Sequence, residues 1–128
     1  MIAIFSGSGY LSPKQEIGEI LITDLPELVI LGDARGVDTA AKYMCQELNI
    51  PHIVFTAQWK RYGRSAGKRR NQDMIDAAFL LGNDAVLYAF PHWEVSPGTY
   101  DCINRAKRAG LEVEVYDQKP RRREYSAV

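Results

Sequence analysis

Leu28-Val29-Ile30-Leu31-Gly32-Asp33-Ala34-Arg35-Gly36-Val37-Asp38 is the stretch whose reading decides the fold. Leu28 to Leu31 is short, apolar and partly β-branched, as a strand covered on both faces of a parallel sheet must be. Val37, Ala40, Ala41, Met44 and Leu48 then recur at helical spacing. The glycine-bracketed turn between them therefore sits where a strand hands over to a helix. Gly32 and Gly36 lack a Cβ, which lets main-chain N–H groups approach a ligand, and the helix start adds unpaired donors and a positive dipole end. Arg35 adds a planar cation, so the turn reads as a phosphate cradle. The competing reading is a tight turn whose glycines only solve backbone geometry.

The same strand-then-turn pattern recurs on both sides. Ile2 to Phe5 runs into Ser6-Gly7-Ser8-Gly9, a second glycine-rich turn. A helix starting at Pro13 buries Ile17, Ile20 and Leu21 and ends at Leu25-Pro26. His52 to Phe55 forms a third strand, with His52 in a surface or capping role beside Pro51. The segment Thr56 to Asn71 gathers Lys60, Arg61, Arg64, Lys68, Arg69 and Arg70 with Trp59 and Tyr62 in one loop and the start of a helix. That helix reaches Leu81, with Met74, Ile75, Ala78 and Phe79 on its buried face. Asp84 to Phe90 is a fourth strand. Ser96 is placed to cap a helix beginning at Pro97, Gly110 stops it after Ala109, and Leu111 to Tyr116 is the fifth strand.

Strands alternating with helices give an α/β fold: a single Rossmann-like domain with an open, five-stranded, mostly parallel sheet and helices on both faces. Ligands of such sheets bind at the carboxyl ends of the strands, near the reversal of strand order. Ser6 to Gly9, Gly32 to Asp38, Thr56 to Arg70 and Pro91 to Thr99 all follow strands and are expected to share that rim. Trp59 and Tyr62 offer faces for a base, although Trp59 equally suits a core or subunit contact. Arg64, Arg70 and Asn71 are the polar candidates beside them, and Lys68 and Arg69 suit a solvated face.

Bulk properties fit this picture. A chain of 128 residues, 46% hydrophobic and 25% charged, is long enough for one core and short for two. The reading divides it into a domain over 1–118 and a basic tail over 119–128, expected to be disordered. The tail holds Lys119, Arg121, Arg122, Arg123 and Glu124. It takes four of the 16 basic and one of the 16 acidic residues, leaving a body with 12 against 15. No apolar run has membrane-spanning length and Met1 to Tyr10 does not resemble a secretory signal, so a cytoplasmic protein without membrane partners is expected. Cys45 and Cys102 show neither disulfide nor zinc spacing; no metal and no cofactor is expected.

Taken together, Gly32-Asp-Ala-Arg-Gly-Val-Asp38, Trp59-Lys-Arg-Tyr-Gly-Arg-Ser-Ala-Gly67, Arg70-Asn71 and Pro97-Gly98-Thr99 resemble the SLOG superfamily of Rossmann-like nucleotide-binding proteins. Within it the chain resembles the small YspA/YpsA-like members, over Ile2 to Tyr116. The resemblance implies a nucleotide or nucleotide-derived ligand held by Gly32 to Asp38 and by Gly98-Thr99, and a homodimer. Relatives of the Lonely Guy type hydrolyse the bond between base and ribose phosphate with an arginine and the glutamate of Pro-Gly-Gly-x-Gly-Thr-x-x-Glu. Here Pro97-Gly98-Thr99 is a reduced version, and Cys102 stands at the glutamate position.

The leading expectation is accordingly a nucleotide-binding protein, a sensor or sequestering protein, using Ser6, Gly7, Ser8, Gly32, Arg35, Gly36, Asp38, Trp59, Arg64, Arg70, Asn71, Gly98 and Thr99. The alternative is a nucleoside-monophosphate N-glycosidase, with Arg70 on the phosphate and Asp101 replacing the glutamate; such chemistry needs a carboxylate beside a cationic sugar. A second alternative is a single-stranded nucleic-acid binder similar to the DNA-processing members, engaging Trp59 and the tail.

Overall fold

The computed structural model describes residues 1–82 and 84–117. The basic tail read from the sequence therefore lies outside the described residues. The chain runs β1 (Ile2–Gly7), α1 (Lys14–Asp24), β2 (Leu28–Leu31), α2 (Val37–Glu47), β3 (His52–Val54), α3 (Trp59–Tyr62), a 3-10 turn (Gly63–Ser65), α4 (Ala66–Leu81), β4 (Ala85–Phe90), α5 (Pro97–Arg108) and β5 (Glu112–Val115). All strand pairs are parallel, in the order β3-β2-β1-β4-β5. This is the open, Rossmann-like α/β sheet expected from the alternation of strands and helices.

Alternation along β1 explains the layers. Ala3 and Phe5 project into one apolar cluster with Ile17 and Leu21 of α1 and Val37, Ala40 and Ala41 of α2. Ile2 and Ile4 project into the other, with Met74, Ile75 and Ala78 of α4 and Cys102, Ile103 and Ala106 of α5. Both faces of β1 and β4 are thus covered, which is why neither strand shows a polar side. The chain fills the sheet outward from β1 through β2 to β3, then crosses to β4 and β5. Strand order reverses between β1 and β4, whose last paired residues are Gly7 and Phe90.

Several local expectations are corrected. Residues 56–65 are not a plain loop: Trp59–Tyr62 is a helical turn followed by the 3-10 turn. Pro13 stands just before α1 rather than within it. Phe79 is 56% exposed although it follows buried Ile75 by one helical turn: near the end of α4 it lines a surface groove with Leu80 and Ala109. Three strands are slightly shorter than read from the sequence, β3 ending at Val54, β4 starting at Ala85 and β5 spanning Glu112–Val115, whereas β1 runs past Phe5 to Gly7. Ser96 occupies the N-cap of α5 but makes no capping hydrogen bond; its hydroxyl donates to Thr99 Oγ1 at 3.0 Å. No helix among the described residues is long and apolar enough to cross a membrane.

Candidate functional site

A cleft of about 410 Å³ opens at the reversal point. Its lining comes from all four carboxyl-end segments: Ser6 to Tyr10 after β1, Ala34 and Asp38 after β2, Trp59 to Asn71 after β3, and Val95 to Asp101 after β4. The amino ends of α2, α4 and α5 all reach it. Neither Ser65 before α4 nor Ser96 before α5 donates a side-chain cap, and neither first turn carries an acidic residue. The positive dipole ends of these helices therefore meet in one place, which they share with the carboxylates of Asp38 and Asp101.

The turn after β2 differs from what its glycines suggest. Gly36 has φ +74, and a Cβ there would lie 2.3 Å from the Ser8 carbonyl oxygen. The next residue, Val37, donates its N–H to that same oxygen at 3.1 Å. Gly36 thus lets the turn press against the loop after β1. A Cβ on Gly32 would meet Arg70 Nη1 and Asp38 Oδ2, each at 2.7 Å. Gly32, Arg35 and Gly36 do not line the cleft; the two glycines are accounted for by packing, and Arg35 is exposed.

Asp38 carries the contact between this turn and the cleft. It is buried, and its Oδ2 accepts the Ala34 N–H at 3.0 Å, so the carboxylate folds back onto the turn. Burial pushes its carboxyl up to about 6, with the Ala34 N–H and the Arg70 charge offsetting only part of the effect. Arg70 lines the cleft, but its Nη1 is held 2.6 Å from Asp33 Oδ1 and its Nε 3.3 Å from Asn71 Oδ1. Asp33 also accepts the Ala57 N–H at 3.2 Å, tying the turn after β2 to the chain after β3.

Asn71 is the buckle on the other side. Buried on α4, it donates from Nδ2 to the Gly98 carbonyl at 3.2 Å and to Asp101 Oδ2 at 3.1 Å. Asp101 also accepts from Arg105 Nε at 2.9 Å. Burial pushes the Asp101 carboxyl up, but the bonds from Arg105 and Asn71 together outweigh it and hold the group below its ordinary value. Two carboxylates in one cleft are thereby driven apart: Asp38 gains a proton easily and Asp101 loses one easily. Cys102, at the position of the superfamily glutamate, is fully buried, and burial pushes its thiol up to about 11.

Trp59 is 58% exposed, which removes the core reading. Its ring edge lies over Gly67, where an added Cβ would come within 3.4 Å. Arg64 lines the cleft beside it. Lys68, assigned to a solvated face from sequence, lines the cleft as well, whereas Arg69 turns away and lies 4.2 Å over the Tyr62 ring. Of the residues named in advance, Ser6, Gly7, Ser8, Asp38, Trp59, Arg64, Arg70, Asn71, Gly98, Thr99 and Asp101 are brought together. Tyr10, Asp33 and Arg105 were missed. Asp33 lies inside the quoted turn close to Arg35, and a carboxylate in a turn read as an anion cradle was the available signal. The arrangement suits a small anion bearing a flat group: amides and cations for the one, Trp59 for the other.

No protein-family model matches the chain. Among solved structures it is similar to DNA processing protein A (DprA) from Streptococcus pneumoniae, with a TM-score of 0.46 and 16% identity, covering 88% of this chain and 57% of that one. Among curated proteins it is 37% identical over 98 residues to the Gene 61 protein of Mycobacterium phage D29, a match covering 73% of this chain and 74% of that protein. At that identity and reach, the chain belongs to the family of the phage D29 Gene 61 protein.

Proposed function

We propose that the cleft binds a nucleotide or nucleotide-derived ligand, as a sensor or sequestering protein of the SLOG type that the sequence motifs resemble. The observation that carries this reading is the meeting of the α4 and α5 amino ends, neither filled by an acidic side chain, with Arg64, Lys68 and the exposed ring of Trp59 in one cleft. The phosphate lies at the helix ends, between main-chain N–H groups and the two cations. The base lies against Trp59. Arg70, already paired with Asp33, orders the wall.

The test is to mix the purified chain with nucleoside monophosphates, record thermal unfolding and analyse the mixture by chromatography. Raised thermal stability with intact nucleotide supports the binder. Unchanged unfolding with every nucleotide at millimolar concentration overturns it.

One observation favours a second reading, the N-glycosidase. Asp101 is held ionised and fixed by Asn71 and Arg105 at the cleft wall, the state needed to stabilise a cationic sugar or to take a proton from water. Water would add at the sugar carbon while the base leaves with the electrons of the broken C–N bond and a proton. Free base and ribose phosphate in the chromatogram, lost in Asp101→Asn, support this reading. Their absence removes it.

A further inference from the structure

One group of side chains beside the cleft is used by neither reading. Tyr10, in the loop after β1, is 85% exposed, and Trp93, in the loop after β4, is 43% exposed. His92 joins them: its ring stacks on Trp93 with centroids 4.0 Å apart at 22°, and Tyr10 meets His92 edge-on at 6.3 Å. The His92 ring is further fixed by accepting the Glu94 N–H at Nδ1, 3.2 Å away. His92 and Trp93 are consecutive, while Tyr10 is far from both in sequence and meets them because β1 and β4 are neighbours. Loop aromatics this exposed hold apolar area in water; the stack orders the His92 and Trp93 rings at the expense of one face of each, and Tyr10 and Trp93 still present area to solvent.

The cluster is continuous with the anion site. Tyr10 lines the same cleft as Trp59, Gly67, Lys68 and Gly98, yet comes from a different segment than Trp59. Trp59 on α3 and Tyr10 on the loop after β1 thus both line the cleft, together with helix amino ends and cations, and His92 and Trp93 extend the aromatic surface from Tyr10 beyond that lining. A mononucleotide has one flat group and would leave one of the surfaces unused.

We infer that Tyr10, His92 and Trp93 form a second base-stacking subsite, and that the ligand is a dinucleotide: two bases joined through phosphate, one base on Trp59 and one on this cluster. The cleft's small charge complement fits a short ligand, because Arg64, Lys68 and Arg70, the last already paired with Asp33, share the lining with Asp38 and Asp101. The inference rests on the nucleotide reading and adds to it the second base.

The chain contains two tryptophans, Trp59 and Trp93, so single-tryptophan variants report each surface separately. Trp93→Phe leaves Trp59 as reporter; Trp59→Phe leaves Trp93. The probes are adenosine, guanosine, cytidine and uridine monophosphates, the matching dinucleoside diphosphates, and a longer single strand. Expected are quenching of Trp59 by monophosphate and dinucleotide, quenching of Trp93 by dinucleotide alone, and a dinucleotide affinity about tenfold weaker in Tyr10→Ala while monophosphate affinity stays within about twofold. Quenching of Trp59 with none of Trp93 overturns the second subsite and leaves the nucleotide reading standing. No response of Trp59 to any nucleotide overturns both. A longer strand binding about tenfold more tightly than every dinucleotide overturns the dinucleotide in favour of nucleic acid.

Discussion

The turn after β2 and the turn after β4 are made of similar parts, a glycine or two, a hydroxyl or carboxyl and a helix start, yet the first is filled by the protein itself and the second is open. In the turn after β2, the Ser8 carbonyl oxygen takes the Val37 N–H, Asp38 takes the Ala34 N–H, and Arg70 lies over Gly32. In the turn after β4, Ser96 gives its hydroxyl to Thr99, Gly98 has open space where a Cβ would be, and no carboxylate enters the first turn. A glycine-rich βα turn can thus serve packing or a ligand, and only its neighbours decide which. The turn beside the reversal point has room; the one beside it in the sheet is used to hold the walls together.

The sharpest way to break this comparison is to add one methyl group to each turn. Gly36→Ala forces a Cβ onto the Ser8 carbonyl at a positive φ and should cost roughly 3 kcal/mol of stability, read from the denaturant midpoint. Gly98→Ala should stay within about 1 kcal/mol while weakening nucleotide binding. An unchanged midpoint in Gly36→Ala, with only ligand affinity lost, would reverse the two roles.

Next in size is a proton. Asp38 titrates near 6 in the folded chain against an ordinary value of 3.8, so between those values the folded state holds a proton that the unfolded state has lost. Its contribution is complete below the ordinary value and is lost as pH rises through 6. Asp38→Asn, which keeps an acceptor for Ala34, should therefore be more stable than the native chain by up to about 3 kcal/mol at pH about 8 and equal to it at pH about 3. Asp101 works in the opposite sense, its lowered value stabilising the fold above the ordinary carboxylate range and losing that contribution on acidification. Thermal unfolding across pH checks both.

A somewhat smaller loss comes from the buckle. Asn71→Ala removes the donor shared by Gly98 and Asp101, for a cost of about 1–2 kcal/mol, and should move the Asp101 titration upward toward its ordinary value in a carboxyl NMR titration. Smallest of all in stability is Arg64→Ala. It should shift the midpoint by less than about 0.5 kcal/mol yet lower nucleotide affinity, measured by calorimetry, because Arg64 lines the open part of the cleft.

Much of the fold was legible because short-range rules govern it. Leu28–Leu31 matched its strand to the residue, since Pro26 and Gly32 bracket an apolar run that has no polar alternative. The gathering of four strand-end segments at one rim followed from parallel connectivity alone. The helical turn Trp59–Tyr62 was missed because four residues cannot display a helical repeat of apolar positions. The site was less legible. Arg70 reads from sequence as a ligand-binding cation, but its partner Asp33 lies 37 positions away. Tyr10 and His92 are separated further still, and no local pattern announces a stack assembled across two strands. Glycine spacing marked where a backbone had to bend and was silent on what it bends around.

The neighbouring of β1 and β4 has one more consequence. Ile2 is paired with Ala85, so the two halves of the binding wall meet only after most of the chain has been made and closed into a long loop. An amino-terminal half comprising β1 to β3 would carry the tightly packed turn but no place for a ligand. Occupancy of the cleft therefore reports completion of the whole domain, and a bound molecule would strengthen its global cooperativity rather than that of any one part.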